Sequence, residues 1–109
     1  MKTLVYTAVA AAALASPAFA LSGAQLQQEN RYFAMGYVQG QIEFWLGTYD
    51  DNPNVRARKS RQAGCINNGQ ITSDTLLDAV ITYISRNPKH LAEPAVSAVL
   101  RTLSEICGD

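Results

Sequence analysis

Few side chains of this 109-residue chain bear chemistry: two cysteines, Cys65 and Cys107, one histidine, His90, an acidic pair, Asp74 and Asp78, and four cations within six positions, Arg56, Arg58, Lys59 and Arg61. Cysteines can pair, hold a metal or exchange thiols. A histidine or a pair of carboxylates can move protons, and a dense cationic cluster attracts an acidic surface. The two cysteines lack Cys-x-x-Cys spacing and one histidine completes no zinc set, so neither redox catalysis nor metal binding is expected. His90 stands in a short connector between Pro88 and Glu93, where a surface or capping role is expected. Asp74 falls in the first turn of an expected helix, where the helix dipole accounts for a carboxylate, and Asp78 follows one turn later. Neither a Gly-rich phosphate loop nor a nucleophile elbow is present. The chain reads as non-enzymatic, with no cofactor and no metal.

The amino terminus gives the cysteines a context. Met1, Lys2 and Thr3 precede an apolar run over residues 4–15, and Ser16-Pro17-Ala18-Phe19-Ala20 follows. This is the three-part pattern of a secretory signal peptide, with cleavage expected after Ala20. The run is shorter than the roughly 20 residues a membrane span requires, no later segment is uniformly apolar, and no cysteine follows the cleavage site to carry a lipid. The expected product, residues 21–109, is one small domain without a membrane span, periplasmic in a Gram-negative cell or secreted outright. Nine basic residues balance nine acidic ones, and loss of Lys2 leaves eight against nine. Bulk charge therefore gives no reason to expect a nucleic-acid partner. In an oxidising compartment the even pair reads as one intramolecular disulfide, Cys65 to Cys107. Closing a loop of about 43 residues restricts the unfolded chain by roughly 4 kcal/mol on the loop-entropy account. A domain of this size has only about 5–10 kcal/mol of net stability.

Positioning these groups falls to helices. Ser22 and Gln25 form a capping box, and Leu26, Phe33, Tyr37, Gly40 and Phe44 recur at helical spacing, so a first helix is expected over residues 23–46. Met35, Val38, Ile42 and Trp45 make a second stripe nearly opposite, which leaves the helix apolar on two faces. Either the loop that follows folds back over this second stripe, or another subunit covers it. Gly36 and Gly40 each cost about 1 kcal/mol against Ala inside a helix, which implies a packing reason such as a close helix crossing. Residues 47–64 carry turn chemistry at Asp50, Asp51, Asn52, Pro53 and Asn54 ahead of the cationic cluster, and read as an exposed loop or frayed helix. Thr72 caps a second helix over residues 73–86, with Ile71 and Leu76 at staple spacing and a core face of Leu77, Val80, Ile81 and Ile84. Asn87-Pro88 ends it. A third helix starts near Pro94 and aligns Val96, Val99, Leu100, Leu103 and Cys107. With no strand alternation, the expected fold is all-α, a small bundle of three or four helices stapled by Cys65–Cys107.

Several ordered pieces carry a resemblance. Met35-Gly36-Tyr37-Val38-Gln39-Gly40, a cysteine before the second helix, Ala79-Val80-Ile81-Thr82-Tyr83-Ile84 ending at Asn87-Pro88, Glu93-Pro94-Ala95 and the terminal Cys107 together resemble the Rap/Tai family of immunity proteins, which guard bacteria against type VI secretion toxins. The resemblance spans residues 33–107. It departs in two respects: many members carry more cysteines, and residues 47–64 are longer and more basic than the usual connector. It implies a periplasmic helical protein, often a homodimer, that binds a cognate effector, typically a cell-wall amidase, and occludes its active-site cleft without catalysis of its own. Gly36, Tyr37, Gly40, Pro88 and the cysteines are architectural in this reading. Partner contact is expected at Tyr49, Asp50, Arg56, Arg58, Lys59 and Arg61, aromatic and cationic groups presented on a stapled scaffold. The stripe Met35, Val38, Ile42 and Trp45 is the expected dimer face. The competing class is a periplasmic acid-stress chaperone of the HdeA type, also small, helical and held by one disulfide. The cysteine positions fit the immunity pattern better, and an orphan helical binding module is a third reading.

Overall fold

The computed structural model describes residues 21–108, which form five α-helices and a short 3-10 turn, with one isolated β-bridge between Ser22 and Pro94. The expected signal peptide, residues 1–20, lies outside the described residues. The stretch read as one helix over 23–46 is two. α1, Gly23–Gln28, opens on the capping box: Ser22 Oγ accepts from the Gln25 amide at 3.2 Å and Gln25 Oε1 accepts from the Ser22 amide at 2.9 Å. The backbone turns extended at Glu29, and Asn30 Oδ1 then accepts from the Tyr32 amide at 2.9 Å to start α2, Arg31–Gly47. A short polar side chain that caps the next helix competes with the continuing helix ladder, which is why the break falls at Asn30.

The next departure lies in residues 47–64. Asp50 Oδ1 accepts from the Asn52 amide and Asn52 Oδ1 from the Asn54 amide, each at 2.8 Å, with Pro53 at the first helical position. These turn residues begin a regular helix, α3, Pro53–Asn68, in place of the exposed loop or frayed helix expected there. α4, Ser73–Arg86, follows from the Thr72 cap, and the 3-10 turn Pro88–Leu91 leads to α5, Ala95–Cys107. Both agree with the helices expected there.

The buried apolar core takes Leu26 from α1, Ala34, Val38 and Ile42 from α2, Leu76, Leu77, Val80 and Ile84 from α4, and Ala95, Ala98, Val99 and Leu103 from α5. α3 places no apolar side chain in that set; its two buried residues are Lys59 and Gln62. The Cys65–Cys107 disulfide is formed, joining the C-terminal part of α3 to the last turn of α5. α2 uses its two stripes in the opposite sense to the one expected. Val38 is 1 % exposed and Ile42 5 %, with Met35 and Trp45 packed against the same core. The expected dimer face therefore looks inward, because α4 and α5 of the same protomer cover it. Phe33, Gly36, Gly40 and Phe44 face outward. A Cβ added at Gly36 or Gly40 would meet nothing within 4 Å, so the close crossing expected at these glycines is not made within the protomer.

Candidate functional site

The corner between α2 and α3 gathers most of the residues singled out from the sequence. Trp45 Nε1 donates to Gln62 Oε1 at 2.8 Å, and Gln62 Nε2 reaches the Gly108 carbonyl at 3.5 Å. Lys59 Nζ sits 4.3 Å from the centre of the Trp45 ring and donates to the Thr48 carbonyl. A lysine that is only 7 % exposed needs such partners, since burying its charge without them costs several kcal/mol. Arg56 Nη1 donates to the carbonyls of Asp50 and Asp51 at 2.8 and 2.9 Å and to Tyr49 Oη at 3.3 Å, with its guanidinium 5.4 Å from the Tyr49 ring centre. Two of the six expected contact residues, Arg56 and Lys59, are thus engaged in bracing the turn before α3. That follows from the helix itself: a first turn at Pro53 swings both side chains back over residues 48–51. Asp50 is also engaged, as the acceptor for the Asn52 amide.

Tyr49 and Arg61 are exposed, and Arg58 is half-buried on a different side of α3 from Lys59. There it lines a solvent-open cleft of about 700 Å³ whose other walls include Trp45, Gln62, Leu100, Arg101 and Glu105. The lining sets Arg58, Arg101, Glu93 and Glu105 beside Trp45, Tyr83 and Leu100, so it is less apolar than the sites that small ligands usually fill. The sequence reading missed Gln62 as the partner of Trp45. The signal was present in the Lys59 to Gln62 spacing of three, which puts both on one helix face toward the ring.

His90 is not at the surface. Its ring is 1 % exposed, 5.2 Å from the Tyr83 ring centre, and its Nδ1 lies 2.7 Å from Glu93 Oε2 without the alignment of a directed hydrogen bond. It plugs the space beneath α1 and offers nothing to a substrate. Asp74 and Asp78 both pair with Arg31, at 2.9 and 3.0 Å, tying α2 to α4 across exposed surface. Hydrogen bonding to Asp78 and then Asp74 raises the Arg31 guanidinium above its ordinary pKa. Burial raises the Tyr37 phenol, whose oxygen has no protein partner. Among the described residues no three acids, histidines or cysteines converge on a metal position, and no helix is long and apolar enough to cross a membrane.

A family model described as Rap1a immunity proteins matches residues 6–106, nearly the whole chain. The chain belongs to the Rap1a immunity protein family. No curated protein and no solved structure matches it. Membership in an immunity family implies a cognate effector as the partner. For this Rap1a-family protein the chemistry that matters is therefore recognition. The groups that α2 and α3 leave for it are Arg58 in the cleft, Tyr49 at the turn and the outward face of α2.

Proposed function

We propose that this protein is a periplasmic inhibitor, exported by removal of residues 1–20, that binds a type VI secretion effector acting on peptidoglycan, an amidase, and blocks its active-site cleft. The observation that carries the reading is the family match over residues 6–106. The all-helical, disulfide-joined domain with an open cleft of mixed polar and apolar lining is consistent with it. The test mixes the oxidised chain 21–109 with the peptidoglycan hydrolases of the producing strain, beginning with one encoded next to it where there is one. A stoichiometric complex with one of them, its hydrolysis suppressed, is expected, and a set left wholly untouched sinks the reading. Within such a complex Arg58→Glu is expected to weaken binding by about tenfold or more while leaving the melting temperature in place. Unchanged affinity would remove Arg58 from the contact.

We further propose that the protein acts as a homodimer paired through the outward face of α2, in place of the inward stripe first expected. Phe33 and Phe44 are 54 % and 72 % exposed, and they flank Gly36 and Gly40, where nothing stands over the backbone. No charged residue occurs from Tyr32 to Ile42. Glu43, exposed beside Phe44, puts a charge at the edge of this face while its centre carries none, which suits an interface, and large-small-small-large order lets two copies interdigitate about a two-fold axis. Replacing Phe33 and Phe44 together by Ser is expected to convert a dimer at micromolar concentration to a monomer in sedimentation. Both rings are exposed in the protomer, so the monomer's own unfolding free energy should move by no more than about 0.5 kcal/mol per site, apart from the stabilisation lost with the dimer itself. A wild-type protein that sediments as a monomer rules this out.

A further inference from the structure

We infer that the Cys65–Cys107 disulfide is a lock on α3 alone: oxidation fastens this helix to a core that is complete without it, and so assembles the cleft. Every one of the twelve buried apolar core residues comes from α1, α2, α4 or α5. α3 meets that core from outside, through partly buried Ile66 and two polar side chains. Its non-covalent ties are largely polar, and Arg56 holds its first turn only to the residues just before it, 49–51. Lys59 reaches Thr48, Gln62 reaches Trp45 and the Gly108 carbonyl, and the Ile71 amide donates to Ile66. One of those ties ends at Gly108, the residue after Cys107, so it depends on the same chain end that the disulfide fixes.

A 16-residue helix rich in Arg, Asn, Lys and Gln, without a buried apolar stripe, is marginal in water on its own. Local opening takes the segments with fewest buried apolar contacts first, and here that segment is α3. Once the two thiols are free, the helix can swing on its two short connectors, 48–52 and 69–72, carrying Arg58 and Gln62 away from the α5 wall formed by Leu100 and Arg101. The cleft then no longer exists. Locking joins the two sulfurs and releases two protons and two electrons, which pass by thiol–disulfide exchange to an oxidised dithiol protein. The consequence for inhibition rests on the function proposed above: the reduced chain would not present the recognition surface, and inhibition would switch on only in an oxidising compartment.

Hydrogen exchange on three samples tests the lock without any effector: oxidised protein, protein reduced with dithiothreitol, and the Cys65→Ser/Cys107→Ser double variant. In both disulfide-free samples amides of 53–68 are expected to exchange within about tenfold of an unstructured peptide, while 76–84 and 95–103 stay at least about a hundredfold slower. Protection of 53–68 retained without the disulfide overturns the inference, and so does loss of protection throughout the chain. A binding arm measures capture of the same hydrolase by the oxidised protein and by the double variant, with at least a tenfold loss expected in the variant. Equal capture by both overturns the regulatory role while leaving immunity standing. Failure of the oxidised protein to capture any hydrolase counts against the function proposed above, and the exchange result still decides the lock.

Discussion

Trp45→Ala is expected to lower the unfolding free energy by about 3 kcal/mol, the low end for removing a large aromatic because this ring is only partly buried. Three losses combine. The indole body leaves its place against the core, Gln62 Oε1 loses its donor at a site where Gln62 is 1 % exposed, and Lys59 loses the π-face over which its buried ammonium sits. Trp45→Phe keeps most of the area and part of the π-face but still strands Gln62 Oε1, so about 1–2 kcal/mol is expected for it, the cost of one unsatisfied buried acceptor. Urea unfolding followed by circular dichroism gives both values. The sedimentation coefficient should not change, since Trp45 belongs to the inward stripe of α2. If Trp45→Ala instead leaves stability intact and alters the oligomer, Trp45 is a subunit contact and the assignment of the two stripes is reversed.

That assignment is where the sequence was least informative. Periodicity found the stripe Met35, Val38, Ile42 and Trp45, but it ran the other one through the break at Asn30, joining buried Leu26 of α1 and half-buried Tyr37 to exposed Phe33, Gly40 and Phe44, and period alone cannot say which face the rest of the chain will cover. The deciding fact is the position of α4 and α5, set by long-range packing that no local pattern encodes. The helices of the C-terminal half were legible because each has one apolar face and a strong boundary: Thr72 and Asn87-Pro88 around α4, Pro94 before α5. The disulfide was legible from count and compartment. α3 was obscured for a physical reason. Its anchoring face is Lys59 and Gln62 rather than Leu or Val, so a search for apolar recurrence passes over it, although Asn52-Pro53 is a proper helix start and Arg, Lys, Gln and Ala are good helix formers. The same bias misplaced part of the candidate site. Arg56 and Lys59 look like free surface charge in sequence, and only the course of α3 folds both back onto residues 48–51, where Lys59 is buried and Arg56 stays exposed but bonded to the Asp50 and Asp51 carbonyls. Within the site, Tyr49 and Arg58 keep the roles first suggested for them as proposals, while Gln62 had no place in that reading.

Gly23→Ala carries the other large effect, and two terms of opposite sign decide it. Ala is the better helix residue by about 1 kcal/mol, so on propensity alone the change would stabilise α1. Against this, a Cβ at Gly23 would stand 2.1 Å from the His90 carbonyl oxygen, 3.0 Å from its carbon and 3.3 Å from Ile84 Cγ2. The first two are backbone atoms, and they are not free to retreat. The His90 amide donates to the Asn87 carbonyl at 2.9 Å and its ring is enclosed against Tyr83, while Ile84 is fully buried. The amino-terminal segment must lift instead. Lifting it breaks the bonds from the Gly23 amide to the Glu93 carbonyl, 3.0 Å, and from the Ala95 amide to the Leu21 carbonyl, 2.6 Å, and withdraws Leu26 from the core. Exposing a buried Leu costs about 1.5–3 kcal/mol, and each backbone bond about 0.5–1.5 kcal/mol. The losses outweigh the propensity gain by about 1.5–5 kcal/mol, and destabilisation in that range is expected in urea. Amides of 21–28 should lose protection before those of α4, because the clash is confined to the place where α1 crosses the 3-10 turn. A variant stabilised by about 1 kcal/mol would mean that propensity prevails and that the contact between α1 and His90 is looser than these distances require.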